Sequence, residues 1–560
     1  MKKKLCLILA SVMTVSMLAT GCGEKDPGTS ENPTGERPEG VEITMGRKVV
    51  TNAMLPEGQT PEDNAYLWKT EEELKIDIVD EFNGVDADYD QKVSLTIASG
   101  EIPDIMRVSS FAEVYELYEN EMIVPLDDVY EEYACDRIKE KYNTFPEGLG
   151  LDRARINGKL YAIPGAGGDC APMICFLRSD WFDDIEFEVD PDGDRVISYL
   201  DVIEIARQFM AADPAGTGNM IGISTFNDLI WREGEGAWCL NFIANAVDAW
   251  PDTWFVDDSG ELVYGSVQAE VKEFLKICND LYEEGILDPQ IGTREWDDVT
   301  ELMVNGRFGM AFGAGHTPSW GLINVYSMDP NTDYKCYLIS DENGIVRHKH
   351  SDSAETGYLV VSADCKYPEV VVEMINLWDG YNASEEVAFY AADERLQELR
   401  NMGSDRAVGP YRLTIGSYSS NVENAQLKQD YLDGVKTLDE CIEQNAYFGS
   451  WVEAYDAFMA AGEDGALDAK HWAEYTAQWE AYSLCLTLDQ YEKAEWLTPV
   501  FPAITDSRWA TLDDLVMTTY LGMIKGEIDI EAEWDNFVQE WNEIGGAEIT
   551  EEAAKALGIK

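Results

Sequence analysis

The first 22 residues constrain the chain most, because they decide the compartment in which everything after them folds. Lys2, Lys3 and Lys4 form a basic start, and residues 5–18 are mostly apolar. This run is shorter than the roughly 20 residues that a membrane-spanning helix needs, and it is typical of a secretory signal. We therefore expect the folded part of the chain to lie outside the cell.

The signal ends in the sequence LATGC, whose last residue is Cys22. This motif resembles a bacterial lipobox, so residues 1–22 are interpreted as a lipoprotein signal peptide with a lipidated Cys22. Two or three acyl chains would hold the protein on the membrane, because a single chain binds only marginally. The alternative is an ordinary signal peptide cut near Gly21. Residues 23–40 are polar, and we expect them to form a disordered tether.

The charge and cysteine content of the chain narrow the classes of partner and metal that it can bind. The formal net charge is −66, from 107 acidic and 41 basic residues, and such a field repels phosphate backbones, which argues against a nucleic-acid partner. Without Cys6 and Cys22, nine of the eleven cysteines remain, with no C-x-x-C pair and only four histidines in the chain. We therefore expect no zinc site. We expect most of the cysteines to be buried, free thiols, and a disulfide remains as the alternative.

Apolar patterning predicts an α/β protein. Residues 271–282 carry apolar side chains on one helical face and end near Gly285 and Pro289. A second stripe within residues 530–544 predicts another helix, which Gly545-Gly546 should end. Short apolar runs predict strands near Val49 and at residues 104–108 and 357–361.

Several segments, read in order, resemble the family 1 extracellular solute-binding proteins, and in particular the LplA-like lipoproteins of Gram-positive bacteria. The resemblance covers residues from about 41 to 380 and, less clearly, 509–557. It is carried by these motifs: Tyr89-x-x-Lys92, LTIASGEIPDI (95–105), IVPLDD (123–128), NGKLYAIP (157–164), RSDWF (178–182), GILDP (285–289), NGRFGM (305–310) and YPE (367–369).

The resemblance implies a two-lobed, periplasmic-binding-protein-like fold of type II, with a hinge and an inter-lobe cleft. We expect residues 41–165 plus about 355–440 in the N-terminal lobe, and 166–354 plus about 441–560 in the C-terminal lobe. It also implies a monomer that captures a carbohydrate and delivers it to ABC permease subunits in the membrane, and a peptide or another polar solute stays open as the ligand. No nucleotide-binding loop is present in the sequence, so another subunit must hydrolyse ATP. No cofactor is expected.

Loops at predicted strand ends supply the candidate ligand contacts, because sugar rings pack on aromatic faces and carboxylates accept hydroxyl hydrogen bonds. Trp320 is the strongest candidate, since it matches the loop in which sugar-binding relatives place a stacking Trp. For each candidate, packing in the core is the competing interpretation. The ligand-binding candidates are Trp320, Trp231, Trp238, Asp169, Phe111 and Trp451.

The segment that begins at Asp213 departs from the family pattern. Some relatives hold Ca²⁺ in a D-P-D-G-N-G loop, which supplies alternating oxygen ligands. Here Ala215 replaces a carboxylate and Thr217 is a poor substitute. We therefore expect a turn without a tightly bound metal.

Two other classes of function compete with solute capture. A secreted glycan-acting enzyme would use paired carboxylates, but with 107 acidic residues such pairs arise by chance. No G-x-S-x-G motif is found, so we expect no enzyme. A surface sensor or adhesin with the same fold stays open, because fold alone does not fix function.

Overall fold

The structure is a computed structural model and describes most of the chain after the tether. The described residues are 37–50, 55–145, 149–169, 173–230, 238–257, 259–352, 357–402, 408–462, 467–495, 507–557 and 559. Among them, no helix combines the length and the apolar character needed to cross a membrane.

The strands are mostly short and are distributed along the whole described chain. They are β1 (Val41–Lys48), β2 (Ile76–Gly84), β3 (Ile105–Val108), β4 (Arg155–Ile156), β5 (Lys159–Leu160), β6 (Ile163–Pro164), β7 (Gly168–Asp169), β8 (Ile174–Arg178), β9 (Val196–Ser198), β10 (Trp254–Val256), β11 (Leu262–Tyr264), β12 (Met310–Gly313), β13 (Tyr334–Ser340), β14 (Val346–Asp352), β15 (Tyr358–Val361) and β16 (Tyr491–Glu495).

Helices connect these strands and form most of the last third. They are α1 (Ala65–Leu74), α2 (Asp86–Ser99), α3 (Phe111–Glu119), α4 (Asp127–Tyr133), α5 (Asp136–Asn143), α6 (Tyr199–Ala212), α7 (Asn241–Ala246), α8 (Glu270–Glu283), α9 (Trp296–Val304), α10 (Ile323–Met328), α11 (Glu369–Asp379), α12 (Ala383–Ala391), α13 (Glu394–Asn401), α14 (Ser420–Leu432), α15 (Leu438–Gln444), α16 (Phe448–Ala461), α17 (Ala469–Tyr475), α18 (Trp509–Ile524), α19 (Ile530–Trp541) and α20 (Ala547–Leu557).

The N-terminal lobe is built on a five-stranded sheet with the order β2-β1-β3-β15-β6. Strand β1 is parallel to β2 and β3, whereas β15 is antiparallel to β3 and β6. The pairing of Ile105 with Val361 therefore joins parts of the chain that are far apart in sequence. One continuous hydrophobic core, which runs from Ile43 to Ile415, packs against this sheet.

A buried arginine links distant parts of the N-terminal lobe through hydrogen bonds. Arg47 is 1% exposed, and its Nε and Nη2 atoms each donate to the Asp80 carboxylate at 2.6 Å. The guanidinium also donates to the carbonyls of Pro61, Val408 and Gly409. Each nitrogen of the guanidinium thus donates to at least one acceptor, which offsets the free-energy cost of burying the charge.

The C-terminal lobe contains a seven-stranded sheet. Its main path is β12-β8-β13-β14-β16, with β9 paired to β13 and β7 paired to β14. A second hydrophobic core packs against it and includes residues from Met173 to Val346 and from Trp472 to Ala553. Two stretches of chain therefore build each lobe, which makes this a mixed α/β fold of two lobes.

A smaller helical cluster follows the N-terminal lobe in sequence. Its core contains Phe448 and Trp451 of α16, Trp479 of the next helical turn and Leu427 of α14. The buried Lys428 of α14 is its unusual member. The Lys428 ammonium donates to the carbonyl of Gln478 and lies 5.5 and 5.8 Å from the ring centroids of Trp451 and Tyr482, respectively. Burial lowers the pKa of Lys428 to about 7.

Three crossing segments join the lobes, and they are hydrogen-bonded to one another. The first runs from β6 to β7, the second from β14 to β15, and the third precedes α14. The amide of Gly165 donates to Gly357 at 2.8 Å, and that of Ala166 donates to Thr414 at 2.8 Å. Gly416 donates in turn to Ala166 at 2.6 Å. The three crossing segments are therefore joined in a short hydrogen-bonded ladder and are not independent linkers.

The predicted helical stripes are confirmed, with one correction. Five of the apolar positions predicted for α8 are buried, and so are Ile530, Trp534, Phe537 and Trp541 of α19. The prediction that Gly545-Gly546 ends the helix is wrong in part. A π-helical turn at Asn542–Gly546 is kinked at Gly545, whose φ is 150°, and α20 continues directly from it.

Strand predictions are accurate except at the start. Strands β3 and β15 match the predicted positions within one residue. The first strand lies at Val41–Lys48 instead of beginning at Val49, because its alternating pattern of apolar and polar residues starts earlier. The predicted N-terminal lobe extends to about residue 440, whereas its hydrophobic core ends at Ile415. The lobe boundaries stay a prediction.

We expect Gly357→Ala to destabilise the protein by about 2–4 kcal/mol, from left-handed strain and overpacking together. Gly357 has a φ of 84°, and a Cβ there would lie 2.4 Å from the carbonyl oxygen of Val108. Gly344 has a φ of 83° but no atom near the same position, so Gly344→Ala should cost only about 1 kcal/mol. Urea unfolding of both variants measures the difference; equal losses would contradict a steric requirement at the crossing.

The lowered pKa of the buried Lys428 predicts that the stability of the protein rises with pH. The pKa of Lys428 is about 7 in the folded protein, whereas a solvated lysine in the unfolded chain has its ordinary pKa of 10.5. Between these values the unfolded chain binds more protons, so stability rises with pH across this window and is lost as pH falls toward 7. Lys428→Met should remove this rise.

The measurement is the melting temperature of wild type and variant from pH 6 to 10.5. Lys436→Met is the matched control, because Lys436 lies near the end of α14 and is paired with Asp430 on the surface. Parallel melting curves for wild type and Lys428→Met would refute the assignment.

Candidate ligand-binding site

Three aromatic rings form a stack on the surface of the C-terminal lobe. The indoles of Trp296 and Trp320 lie nearly parallel, with centroids 4.8 Å apart and an angle of 8° between planes. The imidazole of His316 lies parallel to Trp320 at 5.2 Å and 16°. Trp320 keeps 40% of its surface exposed. We call these three residues the aromatic platform, a flat apolar surface that a ligand ring can pack against.

The end of strand β12 positions two of the three rings. The chain turns after β12, where the amide and hydroxyl of Thr317 both donate to the carbonyl of Ala314, at 3.0 and 2.7 Å. A π-helical turn at Pro318–Leu322 follows and leads into α10. Because His316 and Trp320 are four residues apart in this turn, their side chains lie one above the other. Trp296 is the first residue of α9.

Tyr482 is the polar neighbour of His316. Its hydroxyl lies 3.0 Å from the Nδ1 atom of the imidazole. The Tyr482 ring packs against Gly315, where a Cβ would come within 2.7 Å of it. Crowding by protein atoms lowers the pKa of His316 from 6.5 through desolvation, although the ring is reached by solvent. The imidazole is therefore neutral at pH 7, with one donor and one acceptor nitrogen.

Trp238 forms the floor of the platform and is itself completely buried. Its indole meets Trp296 edge to face at 4.3 Å, and it lies against Gly321, where a Cβ would be 3.0 Å from the ring. Its backbone has a φ of 53°, and its Nε1 atom has no hydrogen-bond partner among the described residues. Trp238, a predicted ligand contact, thus supports the exposed rings from below.

Polar groups border the platform on the side of α9. The amide of Asn227 donates to the Glu295 carboxylate at 3.3 Å, and Glu295 immediately precedes Trp296 in the chain. Phe226 contacts Trp296 at 6.0 Å. An exposed carboxylate and amide beside flat aromatic rings can exchange hydrogen bonds with hydroxyl groups. This combination suits a ring with apolar faces and a polar rim.

The platform is also close to the crossing segments. The 3₁₀ segment Tyr482–Gln490 packs against α14, and α14 contacts β7. Tyr482 therefore connects the platform to the helix that follows the third crossing.

The structure places two other predicted contacts in cores. Phe111 is the first residue of α3, is 4% exposed and packs beside Tyr358 in the N-terminal lobe. Trp451 is 6% exposed in α16, and its carbonyl accepts a hydrogen bond from the indole of Trp479. Neither offers an exposed face in this structure, so neither belongs to the candidate site.

The last two predicted contacts are described only in part or not at all. The backbone of Asp169 lies in β7 of the first crossing and pairs with Ser351, which is the position expected for a residue beside the cleft. Trp231 lies outside the described residues. The contacts predicted from the sequence did not include Trp296, His316 or Tyr482.

Asp213 organises the loop in which some relatives hold Ca²⁺. Its carboxylate accepts hydrogen bonds from the amides of Thr217 and Gly218 at 2.9 and 2.7 Å. The hydrogen bond from Gly218 is the main reason that its pKa is lowered. The described residues include no cluster of three or more His, Cys, Asp or Glu that could hold a metal ion. Six of their cysteines are free thiols, namely Cys135, Cys175, Cys278, Cys336, Cys365 and Cys441.

Comparison with known proteins gives relatives at low identity. The fructooligosaccharide ABC transporter substrate-binding protein FusA of Streptococcus pneumoniae is 21% identical over 421 residues, which cover 70% of this chain and 74% of FusA. Lipoprotein LipO of Bacillus subtilis is 21% identical over 568 residues, which cover 99% of this chain and 98% of LipO. No protein-family model matches the chain.

Solved structures share the fold. The HMO-binding solute-binding protein of Bifidobacterium longum infantis aligns with a TM-score of 0.62 and 14% identity, over 92% of this chain and 98% of that protein. FusA is named a substrate-binding protein of an ABC transporter, which agrees with the prediction that the chain is not an enzyme. The narrower LplA-like group stays a prediction. The relatives and the shared fold confirm the resemblance to the family 1 extracellular solute-binding proteins of ABC transporters.

Proposed function

We propose that this protein captures an oligosaccharide outside the cell and delivers it to the permease subunits of an ABC importer. The aromatic platform is the observation that carries the proposal. Trp296, Trp320 and His316 offer parallel rings, and Glu295 and Asn227 supply acceptors and donors at their border. Sugars present C–H faces surrounded by hydroxyl groups, so their surface complements this arrangement.

The names of the relatives support the same class of ligand. FusA is a fructooligosaccharide-binding subunit of an ABC transporter, and the Bifidobacterium protein is described as binding HMO. A two-lobed protein with its site near the crossing segments can close on such a ligand, because contacts to both lobes form only in the closed state. A closed and an open form would then differ in the surface that a permease meets.

The N-terminal sequence supports a location on the outer face of the cytoplasmic membrane. Cys22 would carry the lipid, and residues 23–40 would separate the folded body from the membrane. LipO, a relative over nearly the full length, is itself named a lipoprotein. A tethered receptor keeps captured solute close to its permease, which raises the effective concentration of the pair.

The platform is tested with Trp320→Ala. A thermal-shift screen of oligosaccharides, including kestose, identifies a ligand that stabilises the wild type. Calorimetric titration with that ligand should show binding weaker by about 1 kcal/mol or more, or at least about fivefold, in the variant, because a stacking surface is removed. Met328→Ala is the control: Met328 is 72% exposed at the end of α10, and its removal should leave the affinity unchanged.

The same titration distinguishes competing functions. A receptor returns the sugar intact, whereas a glycan-acting enzyme releases shorter products that chromatography would detect. An unchanged affinity in Trp320→Ala would remove the platform from the binding site. If no oligosaccharide binds the wild type, the proposed ligand class is wrong.

The anchor is tested with Cys22→Ser in the producing cells. The variant cannot accept an acyl chain at this position, so it should appear in the culture medium instead of the membrane fraction. Immunoblotting of both fractions measures this. A wild-type protein that is already free in the medium would contradict lipid anchoring.

A further inference from the structure

His316 makes the same two contacts that the proposed function requires of a bound sugar ring, namely stacking on an indole and a hydrogen bond to a hydroxyl. Its flat face lies parallel to the Trp320 indole at 5.2 Å. Its polar edge faces the Tyr482 hydroxyl, with 3.0 Å between Nδ1 and the oxygen. A pyranose or furanose ring bound here would use the same indole for its C–H face and the same hydroxyl for one of its own. The imidazole therefore covers surface that the ligand needs.

The three rings of the platform are not held equally firmly. Trp296 is fixed from below by the buried Trp238 at 4.3 Å and from the side by Phe226 at 6.0 Å. His316 is exposed, the one described polar contact of its side chain is the bond to Tyr482, and its described ring contact is with Trp320. A single hydrogen bond contributes little net free energy, because water can replace the lost partner. His316 is thus the ring that can leave.

Tyr482 would stay in place when the imidazole moves. Its ring packs closely against Gly315 and lies 5.8 Å from the ammonium of the buried Lys428. These contacts do not involve His316. The departure of the imidazole would therefore uncover a fixed indole face and a fixed hydroxyl together.

We propose that His316 is a built-in occupant of the oligosaccharide site, which the ligand displaces from Trp320 and Tyr482 on binding. The inference rests on the proposed function, because it assumes that a sugar ring uses the platform. It adds that the side chain of His316 covers the stacking face of Trp320 in the free protein. Part of the binding free energy is then spent on moving the imidazole, and affinity is lower than the platform alone would give.

His316→Ala distinguishes an occupant from a ligand contact. If the imidazole competes with the sugar, its removal should tighten binding about two- to tenfold, the range expected for one lost stacking contact. If the imidazole instead touches the bound sugar, the variant should bind more weakly, and an unchanged affinity would also overturn the proposal. His471→Ala is the matched control, because the His471 side chain on α17 bonds to Asp468 and has no described contact with the rings of the platform.

Nuclear magnetic resonance follows the displacement directly. The chain has only four histidines, so the Cε1–H signal that is missing in His316→Ala identifies this ring. Stacking on an indole shifts that signal upfield in the free protein, and saturation with the oligosaccharide identified by the thermal-shift screen should return it toward its ordinary position. A His316 signal that stays at its free position at saturation would overturn the displacement, whatever the affinities are.

The outcomes separate this inference from the proposed function. If neither the wild type nor His316→Ala binds any oligosaccharide, the proposed function fails and the inference with it. If the wild type binds and His316→Ala binds more weakly, only the displacement fails. Melting temperatures of both histidine variants show that the comparison is made between folded proteins.

Discussion

The hydrogen bonds among the three crossing segments are the interaction on which the two-lobed arrangement depends. Gly165, Ala166 and Gly416 donate across the ladder, so each crossing segment is held by its neighbours. Gly357 lies where the second crossing enters the N-terminal lobe and leaves no space for a side chain beside Val108. Sliding of one segment past another would break the ladder, so close packing keeps the three segments in register.

The geometry of the aromatic platform is set by the core of the C-terminal lobe. Trp238 is buried and held beneath Trp296 in a backbone conformation that a tryptophan rarely adopts. Such a conformation persists only where surrounding packing imposes it. The partly exposed indole of Trp320 stacks on Trp296, so its position depends on packing that the folded lobe already provides.

The sequence predicted the elements with strong periodicity and the loop that carries Trp320. It could not separate exposed from supporting aromatics, because Trp238 and Trp320 follow similar glycine-containing segments. Trp296 was missed because it lies three residues before Val299 and looks like part of the buried face of α9. Tyr482 was missed because its partner His316 is 166 residues away in sequence. Contacts of that separation leave no trace in local pattern, since they are set by how the lobe closes on itself.

The sheet of the N-terminal lobe has a consequence for how the chain acquires its structure during synthesis. Strand β3 needs β15 as its neighbour, and Arg47 needs the carbonyls of Val408 and Gly409. At about 5–20 residues per second, a ribosome takes roughly 15–60 s to make the 300 or so residues between β3 and Gly409. The first part of the chain to emerge thus has no complete sheet to form during that interval. The topology of the N-terminal lobe therefore delays the completion of its sheet until the segment around Gly409 has been made.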